Sequence, residues 1–238
     1  LLKIDDYTVL RDNFKIKEGS NSYVWNTRGK PAEKFDGMIL WWASLNAPKA
    51  VPGAYTVVLT VDDEKYTESF NIISNPNSET DIAGMQKQFD FITEINTTVD
   101  NAHKSIKKIR IINKQLKAFQ DQYKDDDRVS ELKEKAKKLS EDFSEIEKAL
   151  YQTQNKSGQD PLNFPIKLTN KLGHLNSLVG MGDFPPTEQD IAVKDELTMQ
   201  INSELEKFND LVSKEIKEFN AAFNSLNLNY LFIEEDTN

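Results

Sequence analysis

The sequence contains no cysteine, which excludes disulfides and thiolate metal sites. It has only two histidines, His103 and His174, and neither lies in an HxxH or HExxH pattern. Also missing are a G-x-S-x-G elbow, a P-loop and a dinucleotide fingerprint. No metal ligand, cofactor or catalytic residue is therefore assigned from the residues themselves. No apolar run approaches the roughly 20 residues that cross a bilayer, and no basic-then-apolar leader precedes residue 30. The chain opens on Leu1-Leu2 without methionine and is read as a piece of a longer precursor. An excess of basic charge is missing as well. The net charge of −9 argues against a nucleic-acid partner, which would need a basic face to replace phosphate counterions. The lysines and arginine at 104, 107, 108, 110, 114 and 117 share the polar side of a helix and read as a solvated face.

What the sequence does have is long-range apolar order. From Ile82 to Tyr123 the apolar residues Met85, Phe89, Ile92, Ile95, Val99, Ala102, Ile106, Ile109, Ile112, Leu116 and Phe119 recur three or four apart. That spacing predicts one helix of roughly 60 Å, too long to stand without other long helices beside it. Phe91 and Ile111 widen its apolar stripe enough for two neighbours. After a reversal at Lys124-Asp125-Asp126-Asp127, a second helix runs on Val129, Leu132, Ala136, Leu139, Phe143, Ile146 and Leu150, with Gly158 as its stop. Two prolines, Pro161 and Pro165, then force an extended stretch before a short helix on Ile166, Leu168, Leu172, Leu175 and Val179. A final long helix begins at a Thr187/Asp190 capping box and runs through Ile191, Leu197, Ile201, Leu205, Phe208, Val212, Ile216, Phe219 and Phe223. The tail 227–238 carries Leu228, Tyr230, Leu231 and Phe232 and is expected to dock.

Before residue 76 the period changes from helical to alternating. Strands are predicted at 7–10, 22–25, 38–42, 54–61 and 65–73, the last two forming a hairpin across Asp62-Asp63-Glu64. The fold expected is thus α+β in two domains. Residues 1–76 form an antiparallel β-sandwich of immunoglobulin or fibronectin type III shape, and residues 77–238 an antiparallel three-legged long-helix bundle whose middle leg is broken.

Candidate sites are few. Adjacent strand residues face opposite ways, so of Trp41 and Trp42 one fills a core and the other is covered or exposed. An exposed indole could stack on a sugar; a covered one would pack on the helices or on a further domain. The sequons Asn96-Thr97-Thr98 and Asn155-Lys156-Ser157 fit the N-glycosylation pattern and are expected by chance in a chain rich in Asn, Ser and Thr. The many carboxylates fall on helix faces spaced to pair with lysines, as in Glu131–Lys135 and Glu134–Lys138.

Two stretches carry a resemblance. Tyr23-Val24-Trp25-Asn26, Phe35-Asp36-Gly37-Met38-Ile39-Leu40-Trp41 and Lys49-Ala50-Val51-Pro52-Gly53-Ala54-Tyr55 resemble the region after the propeller in bacterial sortilin-like Asp-box (BNR-repeat) proteins. So do Pro161-Leu162-Asn163-Phe164-Pro165-Ile166-Lys167-Leu168, Asn170-Lys171-Leu172 and Pro186-Thr187. The Asp-box itself, S-x-D-x-G-x-T-W, is not in the chain. The resemblance implies an exported protein, often labelled a glycosyl hydrolase, whose active residues lie upstream. It makes this chain a non-catalytic accessory region that packs against a propeller or another protein. A carbohydrate-binding module using Trp41 or Trp42, and a hydrolase acting alone, stand as alternatives.

Overall fold

The computed structural model describes residues 2–4, 7–10, 17–226 and 228. Strands β1 (Leu2–Ile4), β2 (Tyr7–Leu10), β3 (Gly53–Val61) and β4 (Glu64–Ile72) are followed by helices α1 (Ile82–Gln122), α2 (Ser130–Leu150), α3 (Leu168–Val179), α4 (Glu188–Asp210) and α5 (Ile216–Ser225). The chain divides into two compact units that interleave in sequence. The first holds Leu1–Lys34, Leu40–Asp100 and Asn170–Thr198; the second holds Phe35–Ile39, Asn101–Thr169 and Met199–Asn238.

The β-sandwich is not formed. The strands make one small antiparallel sheet in the order β2-β1-β3-β4, dominated by the β3–β4 hairpin. Of the predicted strands, 22–25 and 38–42 are not strands; between residues 17 and 52 the only β pairing is a lone bridge between Arg28 and Lys49. The backbone takes positive φ at Gly19 (φ 88°), Thr27 (φ 60°), Gly37 (φ 73°) and Trp42 (φ 52°), which takes this stretch out of extended geometry four times. With no second sheet among the described residues to cover it, the hairpin buries Tyr55 (2% exposed) at its base while Val57, Leu59 and Val61 on the same face stay exposed. Tyr55 packs with Ala50, Trp25 and Ile72, and its hydroxyl donates to the Val51 carbonyl at 2.7 Å. The predicted hairpin turn is present: Asp62 and Asp63 join Val61 to Glu64, Asp62 at φ 52°.

In the first unit α1 starts where Asp81 accepts from the Gly84 amide at 2.7 Å. Ile92, Ile95 and Val99 of α1 and Leu172 of α3 are buried completely or nearly so. The buried Gln88 amide donates to the carbonyls of Val179, Gly182 and Phe184 at 2.8, 2.8 and 2.9 Å, tying the loop after α3 onto α1. Lys194 of α4 pairs with Glu94 and lies 5.3 Å over the Phe91 ring. The predicted capping box closes α4 reciprocally. The Thr187 amide donates to Asp190 Oδ2 at 2.8 Å, and the Asp190 amide to Thr187 Oγ1 at 3.2 Å.

The second unit packs the later part of α1 with α2 and the C-terminal helices. Ile106 and Ile109 of α1, Ala136 and Phe143 of α2, and Ile201 of α4 are fully buried. Phe143 meets Phe208 at 6.0 Å and Phe119 meets Phe219 at 5.3 Å. Three helix readings change. The last helix is interrupted by a π turn at Leu211–Glu215, α2 stops at Leu150 well before Gly158, and Ile111 faces water. Lys135 pairs with Glu215 and Glu218, at 3.4 and 2.8 Å, which draws it to a neighbouring helix instead of along its own. Of the tail, Tyr230, Leu231 and Phe232 lie outside the described residues.

Candidate functional site

Residues 41–46 form a strap along α3. Asn170 grips it with both ends of its amide: Oδ1 accepts from the Trp41 amide at 2.7 Å and Nδ2 donates to the Trp41 carbonyl at 2.8 Å. Three residues further along each element, the Ser44 amide donates to the Gly173 carbonyl at 2.9 Å. One turn on, Asn176 Nδ2 donates to the Asn46 carbonyl at 3.1 Å and to Asn96 Oδ1 of α1 at 2.8 Å, while Asn96 Nδ2 donates to the same Asn46 carbonyl at 2.9 Å. A helix repeats every 3.6 residues, so Asn170, Gly173 and Asn176 rise along one side of α3 and can meet an extended chain at successive points. Gly173 permits the approach: a Cβ there would lie 3.1 Å from the Ala43 Cβ. The strap thus obtains from two asparagine side chains of α3, the Gly173 carbonyl and Asn96 of α1 the hydrogen bonds that a ladder would otherwise supply.

This arrangement fixes the two candidate tryptophans differently. Trp41 is half-buried, its backbone held by Asn170. Trp42 is 69% exposed and sits at φ 52°, a conformation that costs a bulky L-residue about 1–2 kcal/mol. Their opposite exposure comes from a left-handed turn, not from strand alternation. The third tryptophan, Trp25, belongs to the hairpin core, where its Nε1 donates to the Arg28 carbonyl at 2.7 Å.

His103 belongs to the second unit and His174 to the first. His103 is fully buried with Phe35 edge-on at 5.1 Å. Phe35 itself is buried against Tyr151 at 4.9 Å, with the Arg110 guanidinium 4.5 Å over its ring. Arg110 also pairs with Glu147 at 2.8 Å and donates to the Asp36 carbonyl at 3.1 Å, and the Tyr151 hydroxyl accepts from the Ile39 amide at 2.8 Å. Arg110, read from sequence as one of a solvated run, is instead the clamp on Phe35–Ile39. The sequon residue Asn96 uses its side chain in the strap, so a glycan there would disrupt the Asn46–Asn176 contacts.

Burial raises the Tyr55 hydroxyl, while hydrogen-bonded pairs at the surface shift several carboxyls. The Arg128 guanidinium lowers the Asp126 carboxyl, the Lys135 hydrogen bond lowers Glu218, and the backbone amides of Lys156 and Ser157 lower Asp160. Among the described residues no group of three or more His, Asp or Glu side chains is placed to hold a metal ion, and no helix is long and apolar enough to cross a membrane. Sequence reasoning singled out Trp41 and Trp42 but missed Asn170, Gly173 and Asn176. The available signal was their spacing of three along α3. Comparison of the chain with models of known families, with curated proteins and with solved structures finds no match.

Proposed function

We propose that this chain is a non-catalytic interaction region, accessory to an exported, propeller-type predicted glycosyl hydrolase of the sortilin-like Asp-box kind. The observation that carries the reading is Trp42. A large indole held in water on left-handed backbone, by a strap anchored to α3 at three points, lowers stability and adds little to the core. Such a side chain is accounted for by contact with something outside the chain. The partner in this reading is the propeller or another protein. Two measurements test it: the coding sequence ahead of Leu1 is expected to hold S-x-D-x-G-x-T-W repeats, and the chain alone is expected to leave aryl-glycosides intact. Turnover that a single Asp or Glu change abolishes would replace the reading with that of a hydrolase.

The same exposed indole favours a second reading, carbohydrate binding by ring stacking on Trp42. A glycan array followed by a fluorescence titration separates the two. Saturable quenching that Trp42→Ala abolishes supports the sugar; quenching that survives the change removes it.

A further inference from the structure

We propose that the open edge of β4 accepts an extended strand from another protein, one that carries basic and apolar side chains alternately on one face. The proposal goes beyond the reading above, since it uses neither Trp42 nor a sugar.

Among the described residues β4 lies at the end of the sheet and pairs with β3 alone, over nine residue pairs from Gly53↔Ile72 to Val61↔Glu64 without a register slip. In a hairpin closed by two residues, the pair flanking the turn is hydrogen-bonded, so residues 64, 66, 68, 70 and 72 direct their backbone groups at β3. Residues 65, 67, 69 and 71 then direct theirs outward. No proline or bulge interrupts the strand, two of the devices by which edges are normally blunted. Its residues are exposed from Glu64 to Asn71.

The side chains define the occupant. Glu64, Tyr66, Glu68 and Phe70 share a face with Val61, Leu59, Val57 and Tyr55, their register partners. An incoming strand therefore meets carboxylate, ring, carboxylate and ring in turn. It is matched by Lys or Arg opposite Glu64 and Glu68 and by apolar residues opposite Tyr66 and Phe70, as in other edge-strand recognition. The net charge of −9 favours the approach of such a basic segment. A second copy fits worse. Two-fold antiparallel pairing of β4 with itself, keeping the apolar face common, sets Glu68 against Glu68 or Glu64, or sets carboxylates against apolar side chains.

The test is an anisotropy titration of a fluorescein-labelled nonapeptide, Thr-Lys-Thr-Val-Thr-Lys-Thr-Val-Thr, with the whole chain. Saturable binding is expected, weakened at least about tenfold by Glu64→Lys with Glu68→Lys. That double variant should in turn prefer the peptide with Glu in place of Lys. Ser69→Pro removes one outward N–H and no inward one, so it should abolish binding while leaving the circular dichroism and melting of the chain unchanged; Thr67→Pro serves if the first proline disturbs the hairpin. Absence of saturable binding, or binding indifferent to charge reversal, would overturn the proposal. So would a dimer, seen by light scattering, that Ser69→Pro dissolves, because the edge would then serve a second copy.

Discussion

Replacing Asn170 tests whether the strap is held by side-chain amides. The side chain is 5% exposed and makes two short hydrogen bonds to the Trp41 backbone. Each contributes about 0.5–1.5 kcal/mol net, and the backbone groups left behind are only half-buried and partly recovered by water. Asn170→Ala is therefore expected to lower stability by about 1–3 kcal/mol. Asn170→Asp discriminates further. A carboxylate keeps the acceptor for the Trp41 amide but faces the Trp41 carbonyl with a lone pair where a donor stood. Burial and that carbonyl raise the folded-state pKa of the introduced carboxyl above its unfolded value. Its protonated form, which donates from one oxygen and accepts at the other, mimics the amide. The sign follows: relative to the unaltered chain, the variant is least stable above the folded pKa and recovers as pH falls through it. Urea unfolding followed by circular dichroism at pH 7 and pH 4.5, each referred to the unaltered chain, measures both effects. A loss under about 0.5 kcal/mol for Asn170→Ala, or an Asn170→Asp deficit that does not shrink with acid, would refute the reasoning.

Three further predictions follow from the same geometry. Trp42→Gly and Trp42→Ala both remove the indole, yet only glycine relieves the left-handed backbone, so the glycine variant should be more stable by about 0.5–1 kcal/mol in thermal melts; equal stability would contradict the strain. Phe35→Ala should destabilise the second unit by about 3–5 kcal/mol, as for other buried rings, and its effect should be less than additive with Arg110→Met because the two side chains stack on each other. Asp160 accepts from the Lys156 and Ser157 amides and the Ser157 hydroxyl, which lowers its pKa, so the loop's order is present above the unfolded carboxyl's pKa and is lost as pH falls through the lower folded one. Amide chemical shifts of Lys156 and Ser157 should titrate with a midpoint below that of an ordinary aspartate, and a midpoint at or above it would contradict the loop geometry.

The parts legible in the sequence were those whose cause is local. Apolar steps of three and four marked α1 and α2, the alternation of Tyr55, Val57, Leu59 and Val61 marked β3, and Thr187 with Asp190 marked the start of α4. The segments 22–25 and 38–42 were misread because alternating exposure has two causes. A strand produces it, and so does an extended strap with one side against a helix. The residues that decide between them, Asn170 and Asn176, lie about 130 positions further along the chain. Left-handed backbone at Thr27 and Trp42 was hidden for a related reason: neither residue type favours it, and only the contacts around the chain enforce it. Arg110 looked solvated because its neighbours in sequence are lysines, while its partners Phe35 and Glu147 come from other segments of the second unit.

Residue-resolved amide exchange by NMR bears most directly on the strap. The Trp41 and Ser44 amides should both be protected, and Asn170→Ala should expose Trp41 while sparing Ser44, whose acceptor is the Gly173 carbonyl. Protection alternating through 38–42 as in a ladder and indifferent to Asn170→Ala, or exchange of both amides at the rate of an unprotected chain, would contradict it.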